Sequence, residues 1–280
     1  MNIRRAVITA AGPGQATLPL QQIVDGTGRQ TTALEMIITE TLSGGVDDLC
    51  IVVSPGQEAA FRQAAGSQSD RLTFLPQSDP RGYGDALFRA REFVGDDHFL
   101  HLVGDHLYLS RSEDRCVKQL VEIAHAEKCA VSGVQPTRER YLPYFGVVGG
   151  TPVRNRPNLY EVQSVVEKPT PTQAEQELTV SGLRSGHYLC LFGIHVLPPT
   201  VMDLLGDAMQ ETQPGESIPL SPILSRLAGQ ERYLALEVDG VRYDIGVQYG
   251  LLIAQLAVAL KGSDRDRVLT DLVELLATQT

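Results

Sequence analysis

Two glycines one residue apart, Gly12 and Gly14, follow the apolar run Ala6-Val7-Ile8-Thr9-Ala10-Ala11. A backbone without Cβ turns sharply and brings its N–H groups against phosphate oxygens, so the spacing suits a phosphate-approaching loop; an ordinary tight turn uses the same residues. A second glycine pair, Gly82 and Gly84, stands in the stretch from Pro76 to Leu87 and opens a helix expected over 85–92. Asp105 comes just past another apolar run, 98–103. A carboxylate at the end of a buried strand is placed either to hold Mg²⁺ against phosphate oxygens or to cap a turn. His98, His101 and His106 lie close to it in sequence and offer imidazoles to a transition metal. His98 and His101 fall on opposite faces of one strand, which favours ordinary core and surface histidines.

The elements that must position these groups alternate. Strands are expected at 5–10, 49–53, 72–75 and 98–103, with helices over 31–43, 57–65 and 85–92 between them, so the order is β-α-β-α. That alternation builds a parallel sheet with helices on both faces and gathers ligand-binding loops at the carboxyl ends of the strands. After a helix over 116–128 and a strand over 130–135 the pattern changes. Segments 144–148 and 159–168 read as a hairpin or longer β excursion, 169–172 as a loop and 188–196 as a strand. Helices are expected over 199–209, 221–228, 247–261 and 268–277, with a strand at 233–238 and a turn at 242–246. The fold class is therefore α/β, a Rossmann-like, mixed but mostly parallel central sheet with helices on both faces and a β extension. We expect one domain over 1–280, with a nucleotide-binding half at 1–135, a second-ligand half at 136–247 and C-terminal helices at 248–280. The apolar positions of the last helix, Val268, Leu269, Leu272, Val273 and Leu276, suit either the chain's own sheet or a second copy.

Composition narrows the function classes. The 280 residues are 42% hydrophobic and 21% charged, which is ordinary globular composition. A net charge of −10 without a basic run argues against a nucleic-acid groove. The first strand is interrupted by Gly12 too soon for a signal peptide or membrane span, so a cytoplasmic protein without a membrane partner is expected. Cys50, Cys116, Cys129 and Cys190 lack C-x-x-C spacing and read as buried free thiols rather than zinc ligands or disulfides.

Six segments taken in order resemble one family. AVITAAGPG, PQSDPRGYGDAL, LVGD, YFGVV, VQSVVEKP and RYDIG together resemble the bacterial UTP–glucose-1-phosphate uridylyltransferases, within the sugar-phosphate nucleotidyltransferases, over nearly all of the chain. The resemblance implies a nucleotide-diphospho-sugar transferase-like fold and formation of UDP-glucose and pyrophosphate from UTP and glucose 1-phosphate, with Mg²⁺ as cofactor. It implies that Ala11, Gly12 and Gly14 meet the nucleotide, that Gln77 and Gly82 recognise the uracil edge, and that Asp105 and Asp244 hold the metal. Gly146, Glu167 and Lys168 would form the sugar-phosphate site, with Asp105, Lys168 and Asp244 as the catalytic set. A homo-oligomer, dimer or tetramer, is also implied.

The opening loop departs from this family. The family pattern G-x-G-T-R-x-x-P-L-T leads to a lysine in a K-P segment, whereas here Ala16 replaces the arginine and the K-P segment is missing. Arg4, Arg5, Arg29 and Arg81 are the candidate replacements. The departure keeps two rivals in play: a catalytically silent relative that binds a nucleotide sugar, and an enzyme using another substrate pair such as dTTP.

Overall fold

A computed structural model describes residues 1–12, 14, 16–213 and 215–278; Pro13 and Gln15 of the glycine loop lie outside them. Among the described residues a nine-stranded sheet runs in the order Leu72–Pro76, Asp48–Val53, Ile3–Thr9, His98–Val103, His187–Leu197, Ala130–Arg138, Tyr233–Glu237, Arg156–Glu167, Gly146–Val153. The first four strands pair in parallel. His187–Leu197 and Arg156–Glu167 run antiparallel to their neighbours, while Tyr233–Glu237 returns parallel to Ala130–Arg138. The sheet is thus mixed, with the majority direction set by the β-α-β half, as the alternation in the sequence predicts.

Local chemistry explains the individual elements. The helix Ala33–Leu42 starts where the Thr32 hydroxyl accepts the Glu35 N–H at 3.0 Å, and its buried Leu34, Ile37 and Ile38 sit at helical spacing against the sheet. The central strands are apolar on both faces because helices cover both, and Val7, Ile8, Cys50, Ile51, Phe99 and Leu100 are fully buried. All four cysteines are free and buried.

The structure corrects the sequence reading in four places. The 242–246 segment is no simple turn: Gly240–Asp244 is a strand, paired antiparallel with His106–Ser110 in a separate two-stranded ribbon. A second small ribbon joins Gln22–Val24 to Gln30–Thr32. Within the 169–172 loop, Thr170 caps a helix, Pro171–Glu177, because proline at a first helical position loses no hydrogen bond. The helix expected over 85–92 is two short pieces, Tyr83–Phe88 and Arg91–Val94. The last helix, Arg265–Ala277, buries none of its described residues and leaves Leu269, Val273, Leu275 and Leu276 exposed. No helix is long and apolar enough to cross a membrane among the described residues.

Under the sheet's ligand edge lies a buried polar layer. His101 Nδ1 is 3.0 Å from the Val7 carbonyl and Nε2 is 2.6 Å from the Tyr83 hydroxyl. A carbonyl only accepts, so Nδ1 carries the proton and Nε2 accepts from Tyr83; the ring is neutral. His195 stacks on His101 at 5.7 Å and pairs with Ser132 at 2.6 Å. Burial pushes His101 down to about 4 and, with the neighbouring His101 ring, drives His195 well below the ordinary histidine range. Free histidines in the unfolded chain protonate near 6.5, so between about 6.5 and 4 the unfolded state binds more protons than the folded one. Stability conferred by these neutral rings is therefore complete above pH 6.5 and declines toward pH 4, by on the order of 3 kcal/mol for His101. Denaturant titrations at pH 7, 5.5 and 4.5 should show this slope, and His101→Gln should flatten it. An unchanged slope in the variant would rule out His101 as a source.

Candidate active site

A cleft of about 590 Å³ opens at the edge where the parallel strands end. Its lining brings together Ala11, Gly12, Gln77, Gly82, Asp105, Gly146, Glu167, Lys168 and Asp244, drawn from six separated segments. Gly14 is not part of that lining; it turns the loop with φ +75°, a conformation glycine adopts without strain.

The first strand and its neighbour fix the floor. Gly104 donates its N–H to the Thr9 carbonyl at 2.9 Å, and a Cβ at Gly104 would sit 2.9 Å from that same oxygen. Only glycine lets the two chain ends close up here, delivering Asp105 beside Ala11 and Gly12. The ribbon then supplies the second carboxylate. Asp244 stands opposite His106 in the pairing register, and the Ile245 N–H donates to the Asp105 carbonyl at 2.9 Å. Asp105, His106 and Asp244 consequently place one ligand atom each within 4.8 Å of one another.

His106 was not separable from its neighbouring histidines by sequence, because its place depends on the ribbon. Its Nδ1–H donates to Asp105 Oδ1 at 2.7 Å. Burial raises the Asp105 carboxyl, but the His106 ring's charge and hydrogen bond together with the residue's own N–H outweigh it, leaving the carboxyl below its ordinary range. Asp244 accepts the Gly246 N–H at 2.8 Å and pairs with no lysine or arginine among the described residues. Two carboxylates that pair with no lysine or arginine among the described residues, at one cleft wall, suit a hard divalent cation such as Mg²⁺.

The opposite wall is the pair at the open end of the hairpin formed by Gly146–Val153 and Arg156–Glu167. Register sets Gly146 directly across from Glu167, and Glu167 accepts the Ser221 hydroxyl at 2.5 Å. Ser221 is buried at the start of the helix Leu220–Ala228 and lines the cleft; no motif marks it in the sequence. A Cβ at Gly146 would meet Ser221 Oγ at 2.6 Å and Leu191 Cδ1 at 2.9 Å. Lys168 follows with φ +46°, tied by its N–H to the Phe145 carbonyl at 3.1 Å. Phe145 is itself pinned by Arg242, whose guanidinium lies 3.9 Å from the ring centre. Burial pushes that guanidinium down to about 10.

At the third corner Gln77 is 4% exposed. Its Nε2 donates to Asp85 Oδ2 at 2.6 Å and to the Gly82 carbonyl at 3.2 Å. Both amide protons are thus used, and Oε1 accepts no hydrogen bond among the described residues. Gly82 has φ +95°, and a Cβ there would strike Ser217 Oγ at 2.3 Å. Its N–H likewise has no partner among the described residues.

Of the four arginines considered as replacements for Ala16's lost charge, only Arg81 lines the cleft. Its Nη2 donates to the carbonyls of Thr212 and Gln213, both at 3.1 Å. Arg4 pairs with Asp47, Arg5 donates to the Val94 carbonyl and Arg29 pairs with Asp25.

Comparison with known proteins completes the picture. The nucleotidyl transferase family pattern matches residues 6–259. A UTP–glucose-1-phosphate uridylyltransferase of Streptococcus pneumoniae is 27% identical over 92% of this chain and 91% of its own. Uridylyltransferase 2 of Staphylococcus saprophyticus is 26% identical over 98% of both chains. Among solved structures, a UDP-glucose pyrophosphorylase complexed with UDP-glucose superposes with TM-score 0.73 at 21% identity, covering 91% of this chain and 98% of that one. A UTP-bound UGPase from Acinetobacter baumannii does so with TM-score 0.73 at 22% identity, covering 97% and 99%.

Proposed function

This chain belongs to the nucleotidyl transferase family, and from that premise we propose that it joins UTP and glucose 1-phosphate to give UDP-glucose and pyrophosphate. The observation that carries the proposal is the meeting of the two carboxylates, the Glu167-Lys168 pair and the Gln77-Gly82 pair around one cleft. Uridylyltransferase relatives matched along almost the whole chain support the choice of substrates.

Each group has a task that suits its chemistry. Gln77 Oε1 accepts the uracil N3–H and the Gly82 N–H donates to a ring carbonyl, a donor–acceptor order that uracil and thymine satisfy and cytosine does not. The Gly12 N–H faces the triphosphate at the end of the first strand. Glu167, oriented by Ser221, accepts hydrogen bonds from glucose hydroxyls. The Lys168 ammonium draws in the sugar phosphate, whose oxygen attacks the α-phosphorus in line as the bond to pyrophosphate breaks. No covalent intermediate with the protein is needed, because positioning and charge stabilisation carry phosphoryl-type transfers. Mg²⁺, held by Asp105 and Asp244, would neutralise charge on the phosphate oxygens. A cytoplasmic location belongs to this proposal, because its substrates are phosphorylated metabolites.

Pyrophosphate release tests this directly, with Mg²⁺, glucose 1-phosphate and each nucleoside triphosphate in turn. Release with UTP well above the other triphosphates is expected. Silence with all of them, alongside UDP-glucose binding, would replace the enzyme with a silent relative that lost its catalytic charge at Ala16. Faster release with dTTP than UTP would replace the nucleotide.

A further inference from the structure

Asp85 is fully buried and faces the cleft only through another residue. Its carboxylate accepts three hydrogen bonds: from Gln77 Nε2 at 2.6 Å, from the Arg81 N–H at 3.3 Å and from Arg89 Nη2 at 3.0 Å. A side-chain amide has two ends of opposite hydrogen-bonding character and little steric preference between them. Something must decide which end of Gln77 faces the ligand. An acceptor-only carboxylate can meet only the NH₂ end, and the Gly82 carbonyl adds a second acceptor on the same side.

We propose that Asp85 is a positioning residue that fixes the polarity of the Gln77 amide, turning its oxygen toward the base and thereby selecting nucleotides with an N–H at the pyrimidine N3 position. The inference rests on the nucleotide-binding reading of the cleft and deepens it. Rejection of cytidine nucleotides then comes from a residue that never touches the base. A flipped Gln77 would bring its oxygen against the fully buried Asp85 carboxylate, an arrangement of two acceptors without a proton.

Asp85→Asn relaxes this constraint. The asparagine NH₂ can donate to Gln77 Oε1, leaving only the Gly82 carbonyl to oppose the flip and letting the flipped amide present its NH₂ to the acceptor N3 of cytosine. The shape and volume of the side chain are kept.

Equilibrium binding of UDP and CDP, measured by calorimetry, reads the effect independently of turnover. In the native protein UDP should bind more tightly, and in Asp85→Asn the UDP-to-CDP preference should fall by at least about tenfold, the scale of one buried hydrogen bond made wrong. A residue that only stabilised the fold would weaken both nucleotides together. Gln77→Ala supplies the second arm: if Asp85 acts through Gln77, adding Asp85→Asn to that variant should leave the preference unchanged. The proposal is overturned by an Asp85→Asn protein of native melting temperature whose preference is unaltered, or by an equal further shift in the Gln77→Ala background. It is also overturned by a native protein that binds UDP and CDP alike. A native protein that prefers UDP yet releases no pyrophosphate would defeat the catalytic reading while leaving the Asp85 test intact.

Discussion

Replacing Asp105 with asparagine should lower Mg²⁺-dependent pyrophosphate release by about a thousandfold, roughly 4 kcal/mol of transition-state stabilisation, while the protein remains folded. The substitution keeps the side chain's volume and its ability to accept from the His106 Nδ1–H, seen at 2.7 Å. What it removes is the negative charge that a hard cation requires. Asp244→Asn should cost a similar amount for the same reason, since its carboxylate lies in the same cluster and is otherwise engaged only by the Gly246 N–H among the described residues. The double variant should be scarcely worse than either single one, because two ligands of one ion act as a unit. Without metal, Asp105→Asn should melt slightly below the native protein, because the His106 ring holds the Asp105 carboxyl below its ordinary range and its charge therefore favours the fold, whereas Asp244→Asn should melt close to native. Retention of more than about a tenth of the activity in either single variant, or losses that simply multiply, would remove these residues from the metal site.

The carboxylate pair also shows how far sequence reading reaches. Asp105 is visible from local pattern, because the run His98–Val103 is apolar enough to be a buried strand and the aspartate falls just past it. Asp244 is not. The strand Gly240–Asp244 alternates weakly, is only five residues long and pairs with a segment about 130 positions earlier, so nothing within a local window marks it as a ligand-bearing ribbon. Family resemblance placed Asp244 where periodicity could only offer a turn. His106 was passed over for the same reason, its role being fixed by the register that puts it opposite Asp244.

Short-range chemistry was more legible. The alternating β-α order and the helix expected over 31–43 follow from neighbours in sequence, whereas the close approach at Gly104 is made to Thr9 and Ala10 on another strand. Ser221 and Asp85 sit at the other extreme. Each acts through a hydrogen bond to a residue in another segment, Glu167 and Gln77 respectively, and a serine or aspartate in a helical stretch carries no signature of such a bond.

Lys168 joins local backbone to catalysis, and its replacement by glycine should separate the two. Its φ of +46° lies in the left-handed region, where an L-residue pays about 1–2 kcal/mol. Pro169 follows, and a residue before proline is further restricted. Glycine removes that strain but loses more entropy on folding, by about 0.5–1 kcal/mol, so Lys168→Gly should be as stable as the native protein or slightly more so. The lost ion pair hardly matters, since Nζ stands 4.0 Å from Glu167 with both side chains substantially exposed. Activity should respond very differently. An ammonium that meets the sugar phosphate stabilises charge as the oxygen attacks, and removing one such preorganised donor costs about a hundredfold or more in rate. The loss should appear in kcat/KM for glucose 1-phosphate and leave UTP binding nearly unchanged. Lys168→Arg keeps the charge and the strained backbone but spreads the charge over a planar fork, and should recover part of the rate. Denaturant unfolding beside steady-state kinetics checks both halves. A Lys168→Gly protein destabilised by more than about 1 kcal/mol would deny the backbone strain, and one within threefold of native turnover would place the phosphate away from Nζ. On the proposed reading the left-handed turn holds the lysine at the cleft that would take the sugar phosphate, where a relaxed backbone would carry that charge elsewhere.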